Sequence, residues 1–232
     1  MRYFLFFMSI IFFSACINSK TGSGNIISNT RNVAAFNAIS ASGSVNVTVQ
    51  NGPQSVVVET DDNIMRNVET TVSGNTLKIR LKNTNNLRNA TVNVYVTAPV
   101  LKDIDASASA EIESKGSITS DSEIELKASS GSKIQMDLDA PSVKADASSG
   151  GSVIASGRTR NLTAKSSSGS NVNALSLKAE NATANASSGG SVRVSASISV
   201  KAEASSGATV KYTGGATEVK KNESSGGSVS GN

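Results

Sequence analysis

Histidine and tryptophan are absent from this chain, cysteine occurs once and proline three times. Without histidine, the commonest metal ligand and the commonest general base are both missing. One cysteine cannot form an internal disulfide. Aromatic residues make up only 4% of the chain, and Phe4, Phe6, Phe7, Phe12 and Phe13 all fall at its very start. Beyond them Phe36, Tyr95 and Tyr212 remain, too scattered to build the stacking platform on which single-stranded nucleic acids or sugars lie. The formal net charge of +4 is spread along the sequence, so nucleic acid is not an expected partner. No phosphate-binding glycine loop, thiol pair or nucleotide fingerprint occurs. The pairs Gly150-Gly151, Gly189-Gly190 and Gly226-Gly227 each lead into Ser-Val, which excludes the Gly-x-Asp pattern of nonapeptide calcium repeats. No cofactor and no metal are expected.

What is present begins with a secretion signal. Met1-Arg2-Tyr3 is a short basic start, Phe4 to Phe13 an apolar block, and Ser14-Ala15-Cys16 a run of small residues, too short to span a bilayer as a helix. Phe13-Ser14-Ala15-Cys16 resembles a bacterial lipobox, with Phe13 where leucine is usual. The resemblance implies that residues 1–15 are a lipoprotein signal peptide and that Cys16 is lipidated, making the membrane a partner through its acyl chains. Residues 16–31 are polar and carry Gly22 and Gly24, and read as the lipidated cysteine and a tether. Residues 32–232 read as one domain.

Within that domain, residues 32–100 alternate apolar and polar side chains at period two, as in Val45, Val47, Val49 and again in Val92, Val94, Val96. That pattern predicts half-buried strands. Asn51-Gly52-Pro53 and Ser73-Gly74-Asn75 predict turns between them. The stretch from Asp61 to Val68 is the one short helix expected, capped by Asp61 or Asp62.

Residues 101–232 are organised by a recurring Ser-Ser-Gly, with its glycine at Gly131, Gly150, Gly169, Gly189, Gly207 and Gly226. The spacings are 19, 19, 20, 18 and 19 residues, the signature of stacked units. Seven residues before each glycine come Ile124, Val143, Leu162, Ala182, Val200 and Val219; three after come Ile134, Val153, Val172, Val192, Val210 and Val229. Lys127, Asp146, Lys165, Asn185 and Glu203 sit at the opposite parity. Each unit therefore supplies two short strands joined by the Ser-Ser-Gly bend, one face inward and one in water. The glycines are structural, serving a positive φ or a close approach of coils. Spacing that wanders from 18 to 20 residues, without an aliphatic hexad, favours a right-handed parallel β-helix-like solenoid over a left-handed one. The fold class expected is all-β, with coils of about 19 residues after a β-rich N-terminal segment. Leu101 to Ile112 fits as an imperfect earlier coil, and Lys221 and Glu223, at inward positions, mark a terminal coil that leaves the register or forms a polar cap.

Parallel β-helices also host polysaccharide-cleaving enzymes, so carboxylates matter. Glu113, Glu125 and Asp137 are the acidic group that adjacent coils bring together most readily, fit for acid–base work on a glycosidic bond or for glycan binding. The plainer reading is a solvated face balanced by Lys115, Lys127 and Lys133. Reading Ser-Ser-Gly as a nucleophile fails for want of a histidine base.

Taken together, Gly22-Ser23-Gly24-Asn25, Phe36-Asn37-Ala38-Ile39-Ser40-Ala41-Ser42-Gly43, Val56-Val57-Val58-Glu59-Thr60-Asp61-Asp62-Asn63 and Val94-Tyr95-Val96-Thr97-Ala98-Pro99 resemble the head GIN domain family of autotransporter-adhesin type. The resemblance covers nearly the whole chain after the signal. It implies an all-β, β-helix-like domain on a cell-envelope lipoprotein; the reading expected is a non-enzymatic rod attached to the outer membrane, on its periplasmic or its surface face, acting in adhesion or polymer contact. It brings no catalytic residues. A glycan or protein partner is expected, and self-association through the exposed ends of the coil is the third expectation.

Overall fold

The computed structural model describes residues 19–82 and 86–231. The signal segment and Cys16 lie outside the described residues. The chain forms β1 (Ser19–Thr21), β2 (Ile26–Thr30), β3 (Ala38–Ser42), β4 (Asn46–Asn51) and β5 (Ser55–Asp61), then the single turn of helix α1 (Asp62–Met65). It continues through β6 (Val68–Ser73), β7 (Thr76–Leu81), β8 (Asn86–Arg88) and β9 (Asn93–Ala98). The coils that follow are built from β10 (Asp103–Ser107), β11 (Glu111–Thr119), β12 (Ile124–Ala128) and β13 (Lys133–Ala147). After them come β14 (Ser152–Ser166), β15 (Asn171–Ala186), β16 (Ser191–Ala204), β17 (Thr209–Thr213), β18 (Glu218–Glu223) and β19 (Ser228–Gly231).

These strands make the expected β-solenoid, and the inward columns hold their register from coil to coil. Ile134, Val153, Val172, Val192, Val210 and Val229 pair in parallel succession on the flank after the turn. Ile124, Val143, Leu162, Ala182, Val200 and Val219 do so on the flank before it. All but Val219 are buried. Ten strands line the flank before the turn, from β6 to β18, so the stack is on the order of 45 Å long at about 4.8 Å per strand.

The N-terminal part is not stacked in chain order. The coil of β3 and β4 lies between the coil of β7 and β9 on one side and that of β10 and β11 on the other. Antiparallel β2, β5 and β6 close that end of the stack. The segment expected as a tether is paired from Ser19 onward, β1 with β8 and β2 with β5. What holds it is polar. The Gly24 N–H donates to Asp61 Oδ1 at 2.7 Å, Ser23 Oγ donates to Asp62 Oδ1 at 2.5 Å, and Asn25 Nδ2 donates to Asp62 Oδ2 at 3.0 Å. A Cβ at Gly22 would fall 2.6 Å from Asp61 Oδ1, so the tight seat demands glycine. Asp61 stands at the N-cap of α1 but makes no side-chain cap bond; its carboxylate faces Gly24 instead. The helix is accordingly shorter than its sequence pattern suggests.

Each Ser-Ser-Gly bend is a type I′ turn, with both central residues at positive φ. Ser130 has φ 53° and Gly131 φ 72°, and the Ser132 N–H closes the turn on the Ser129 carbonyl at 3.2 Å. The ladder between coils runs through the bend: the Gly131 N–H donates to the Ser149 carbonyl and the Gly150 N–H to the Ser168 carbonyl, both at 3.2 Å. A Cβ on Gly150 or Gly169 would meet open space, so the backbone conformation alone accounts for the turn glycine. Close approach of coils falls on the next residue. A Cβ on Gly151 would lie 2.3 Å from the Ala128 carbonyl oxygen.

The far corner of the coil is less regular. The register shifts between Ile154 and Ser156, and again between Ala174 and Lys178 and between Ala179 and Asn181. At the C-terminal end β18 stays in register, Lys221 opposite Ala202 and Glu223 opposite Ala204. Its inward positions are exposed there, Lys221 lying 5.0 Å from the Tyr212 ring centroid. Charges on that open edge discourage further strands from adding.

Candidate functional site

A groove of about 820 Å³ runs along the solenoid beside the turns, from Asp105 at one end to Asn222 at the other. It follows from parity. Four residues before the turn glycine, Lys127, Asp146, Lys165, Asn185 and Glu203 point outward; two residues before it, Ser129, Ser148, Ser167, Ser187 and Ser205 share their face. The position between them, Ala128, Ala147, Ser166, Ala186 and Ala204, points into the core and leaves its backbone as a floor. One wall is thus a row of charges and the other a row of hydroxyls, each repeating about every 4.8 Å. Among the described residues, none of these wall hydroxyls has a protein hydrogen-bond partner.

The charges alternate over four coils, Asp105, Lys127, Asp146, Lys165, and the wall then reads Asn185, Glu203 and Asn222. The buried position after the turn glycine alternates with them, reading Ser132, Gly151, Ser170, Gly190, Ala208, Gly227. Where serine stands, its hydroxyl bridges coils, Ser132 Oγ donating to the Ala106 carbonyl and Ser170 Oγ to the Ala147 carbonyl, both at 2.7 Å. From Ser132 to Gly190 the structural unit is therefore two coils, a beat that ends at Ala208. Gly-Ser after one bend and Gly-Gly after the next carried that signal in the sequence, masked by the uniform Ser-Ser-Gly before it.

Opposite charges elsewhere on the surface close onto one another. Arg158 reaches Asp139 at 2.5 Å, Lys144 reaches Glu123 at 2.7 Å, and Lys127 at the groove's edge reaches Glu125 at 2.7 Å. Asp146 and Lys165 pair in register on adjacent coils, yet among the described residues neither takes part in an ion pair. Asp146 Oδ1 is buried without a hydrogen bond, as is Asn185 Oδ1 two coils further on. Burial pushes the Asp146 carboxyl above the usual range, against the opposing pull of Lys165. Burial raises Asp105 likewise, with Lys127 and a hydrogen bond from Ser40 acting the other way.

The acidic group expected at Glu113, Glu125 and Asp137 is not assembled. Glu125 lies on β12, before the turn, opposite Asp103 and Lys144. The hydrogen bond from Lys127 holds its carboxyl below the usual range, while burial and the hydrogen bond with Glu125 raise that of Asp103. Glu113 and Asp137 lie after the turn, Glu113 opposite Gln135 and Asp137 opposite Ser117 across a register shift. Asp137 Oδ2 accepts from Ser156 Oγ at 2.9 Å. The turn divides the three, because strands before and after it form different flanks. Among the described residues, no group of acidic side chains has the geometry to hold a metal ion, and no helix is long and apolar enough to cross a membrane.

Solved structures share this architecture at low identity. A putative adhesin from Bacteroides fragilis superposes with a TM-score of 0.83 at 19% identity, covering 92% of this chain and 100% of its own. A putative adhesin from Parabacteroides distasonis gives 0.74 at 19% identity, over 92% of this chain and 100% of its own. A putative lipid binding protein from the same organism gives 0.70 at 18% identity, over 92% of this chain and 99% of its own. No curated protein matches the sequence. The family model described as putative auto-transporter adhesin, head GIN domain, matches residues 35–216, and the chain belongs to that family.

Proposed function

We propose that this protein is a non-enzymatic module of the bacterial cell envelope that acts by adhesion or polymer contact through the axial groove. The observation that carries the reading is repetition. A reactive centre needs one unlike set of groups brought to a point, whereas here a serine recurs at every coil and faces a charged or amide side chain each time, so a long partner meets many similar contacts in series. The serine row has no histidine to activate it, which weighs against acyl transfer. Membership of an adhesin family and the names of two structural neighbours support the same reading.

Placement follows from the lipobox. With Cys16 acylated, the three residues to Ser19 extend at most about 10 Å, and β1 is already paired with the domain. The antiparallel end of the stack then sits close to the membrane and the groove runs away from it. On intact cells, protease shaving releases the domain if it is displayed on the outer face; a protein untouched until the outer membrane is broken is not a surface adhesin. Radiolabelled palmitate incorporation that survives Cys16→Ala would remove the anchor.

A further inference from the structure

We propose that the groove is the binding site of a linear polysaccharide whose disaccharide repeat carries both a carboxylate and an ammonium group, laid along the solenoid so that one disaccharide spans two coils. This rests on the reading of the groove as the contact surface, and names its ligand.

The period is the first argument. Over four coils acidic Asp105 and Asp146 alternate with basic Lys127 and Lys165, before Asn185 and Glu203 end the pattern, and the post-turn Ser/Gly alternation from Ser132 to Gly190 keeps the same beat. Two coils advance about 10 Å, the length of one disaccharide in an extended β-linked chain. A β-strand peptide repeats every two residues, about 6.7 Å, and falls out of step within two coils. A polyproline helix has a nearer period, about 9.3 Å per turn, but its prolines carry neither an N–H nor a charge to set over Asp146 and Lys165 in the groove.

The second argument is the open charges. Asp146 and Lys165 face each other across adjacent coils without bonding, although Arg158 and Asp139, placed the same way one strand-half earlier, do bond. A chain with an ammonium over Asp146 and a carboxylate over Lys165 completes both. Buried oxygens are the third. Asp146 Oδ1 and Asn185 Oδ1 are buried acceptors without donors, two coils apart; a side-chain rotation that turns them to a bound chain's donors recovers the cost of leaving them unpaired. Along the opposite wall the unpartnered hydroxyls of the serine row suit a sugar, which offers donors and acceptors at every residue.

Three hexasaccharides test the idea on the full chain purified in detergent: N-deacetylated hyaluronan, in which glucuronate and glucosamine alternate; hyaluronan, which carries carboxylates alone; and chitosan, which carries ammonium groups alone. Calorimetry is expected to show the first binding at least about tenfold more tightly than either other, the scale of one charge-assisted hydrogen bond, and weakening as salt is added. Lys165→Ala and Asp146→Asn are each expected to lose about tenfold, whereas Lys133→Ala, on the flank after the turn and outside the groove, binds as the parent does. Circular dichroism and melting establish that each variant is folded. Equal binding of the three sugars, or undiminished binding by folded Lys165→Ala and Asp146→Asn, overturns the proposal. Cells that adhere through this protein while the protein ignores all three sugars overturn the ligand class and leave the adhesion reading standing. Cells whose attachment is unchanged when the gene is deleted overturn the adhesion reading itself.

Discussion

Between residues 38 and 98 the solenoid is knitted from strands distant in sequence, and its core there and in the first coils that follow is filled with Ile39, Leu77, Ile79, Ile104, Leu126 and similar side chains. From Asp103 onward each coil lies against the next in simple order, and from Val143 onward the buried apolar set shrinks to valine and alanine with Leu162 and Leu177. One backbone geometry is thus held by two means. The N-terminal part buries large apolar groups and closes long loops to do it. The array after it relies on main-chain ladders and tight inter-coil fit, since alanine brings little apolar area. A coil that stacks only on its predecessor needs a finished surface to start from, and the interleaved part supplies it.

Substitutions separate the two. Ile104 pairs in register with Ile39 on one side and Leu126 on the other, so Ile104→Ala is expected to cost about 3 kcal/mol, measured by denaturant unfolding. If array amides keep full exchange protection in that variant, the two parts are independent and the template idea fails. Next in size is Gly151→Ala, whose Cβ meets the Ala128 carbonyl, at about 2 kcal/mol. Gly150→Ala has open space but φ +73°, and should cost about 1 kcal/mol; equal costs would erase the distinction between the neighbouring glycines.

The imperfect first turn offers a gain. Ala108 has φ 49° and Ser109 φ 68°, with no glycine to ease either. Ala108→Gly is therefore expected to stabilise by about 0.5–1 kcal/mol, visible as a raised melting temperature. The smallest effect is electrostatic. Because burial raises the Asp146 carboxyl above 3.8, the folded state holds its proton more tightly than the unfolded chain does. Its contribution is greatest below pH 3.8 and is lost as pH rises through the folded value. Asp146→Asn removes that loss, so its stability relative to the parent should grow with pH across this window and then level off. Screening at a half-exposed site keeps the gain below about 1 kcal/mol.

The repeat, the parity of its strands and the inward columns could all be read from residues, because each depends on spacing along the chain alone. The order of the N-terminal coils could not. Val45, Val47 and Val49 alternate identically whichever strands flank them, and nothing local tells β3 to lie between β7 and β10. The same limit applied at the N-terminus: Ser23 and Asn25 look like linker residues until Asp62 is placed opposite them. The groove was hidden for another reason. Lys127, Asp146 and Lys165 are ordinary exposed charges on separate strands, and only stacking makes a row of them, while Glu113 and Glu125, near in sequence, are parted by a turn.

The two edges of each coil differ in how they absorb length. Spacings of 18 and 20 residues leave the Ser-Ser-Gly edge in register, and the mismatch appears as shifts at the far corner, near Leu175 and Ile198, both exposed. Insertions and deletions there leave the groove's periodicity untouched. That corner is where a loop grafted for display is expected to disturb the groove least, so the outline of the rod and the spacing of its contacts are set by different edges.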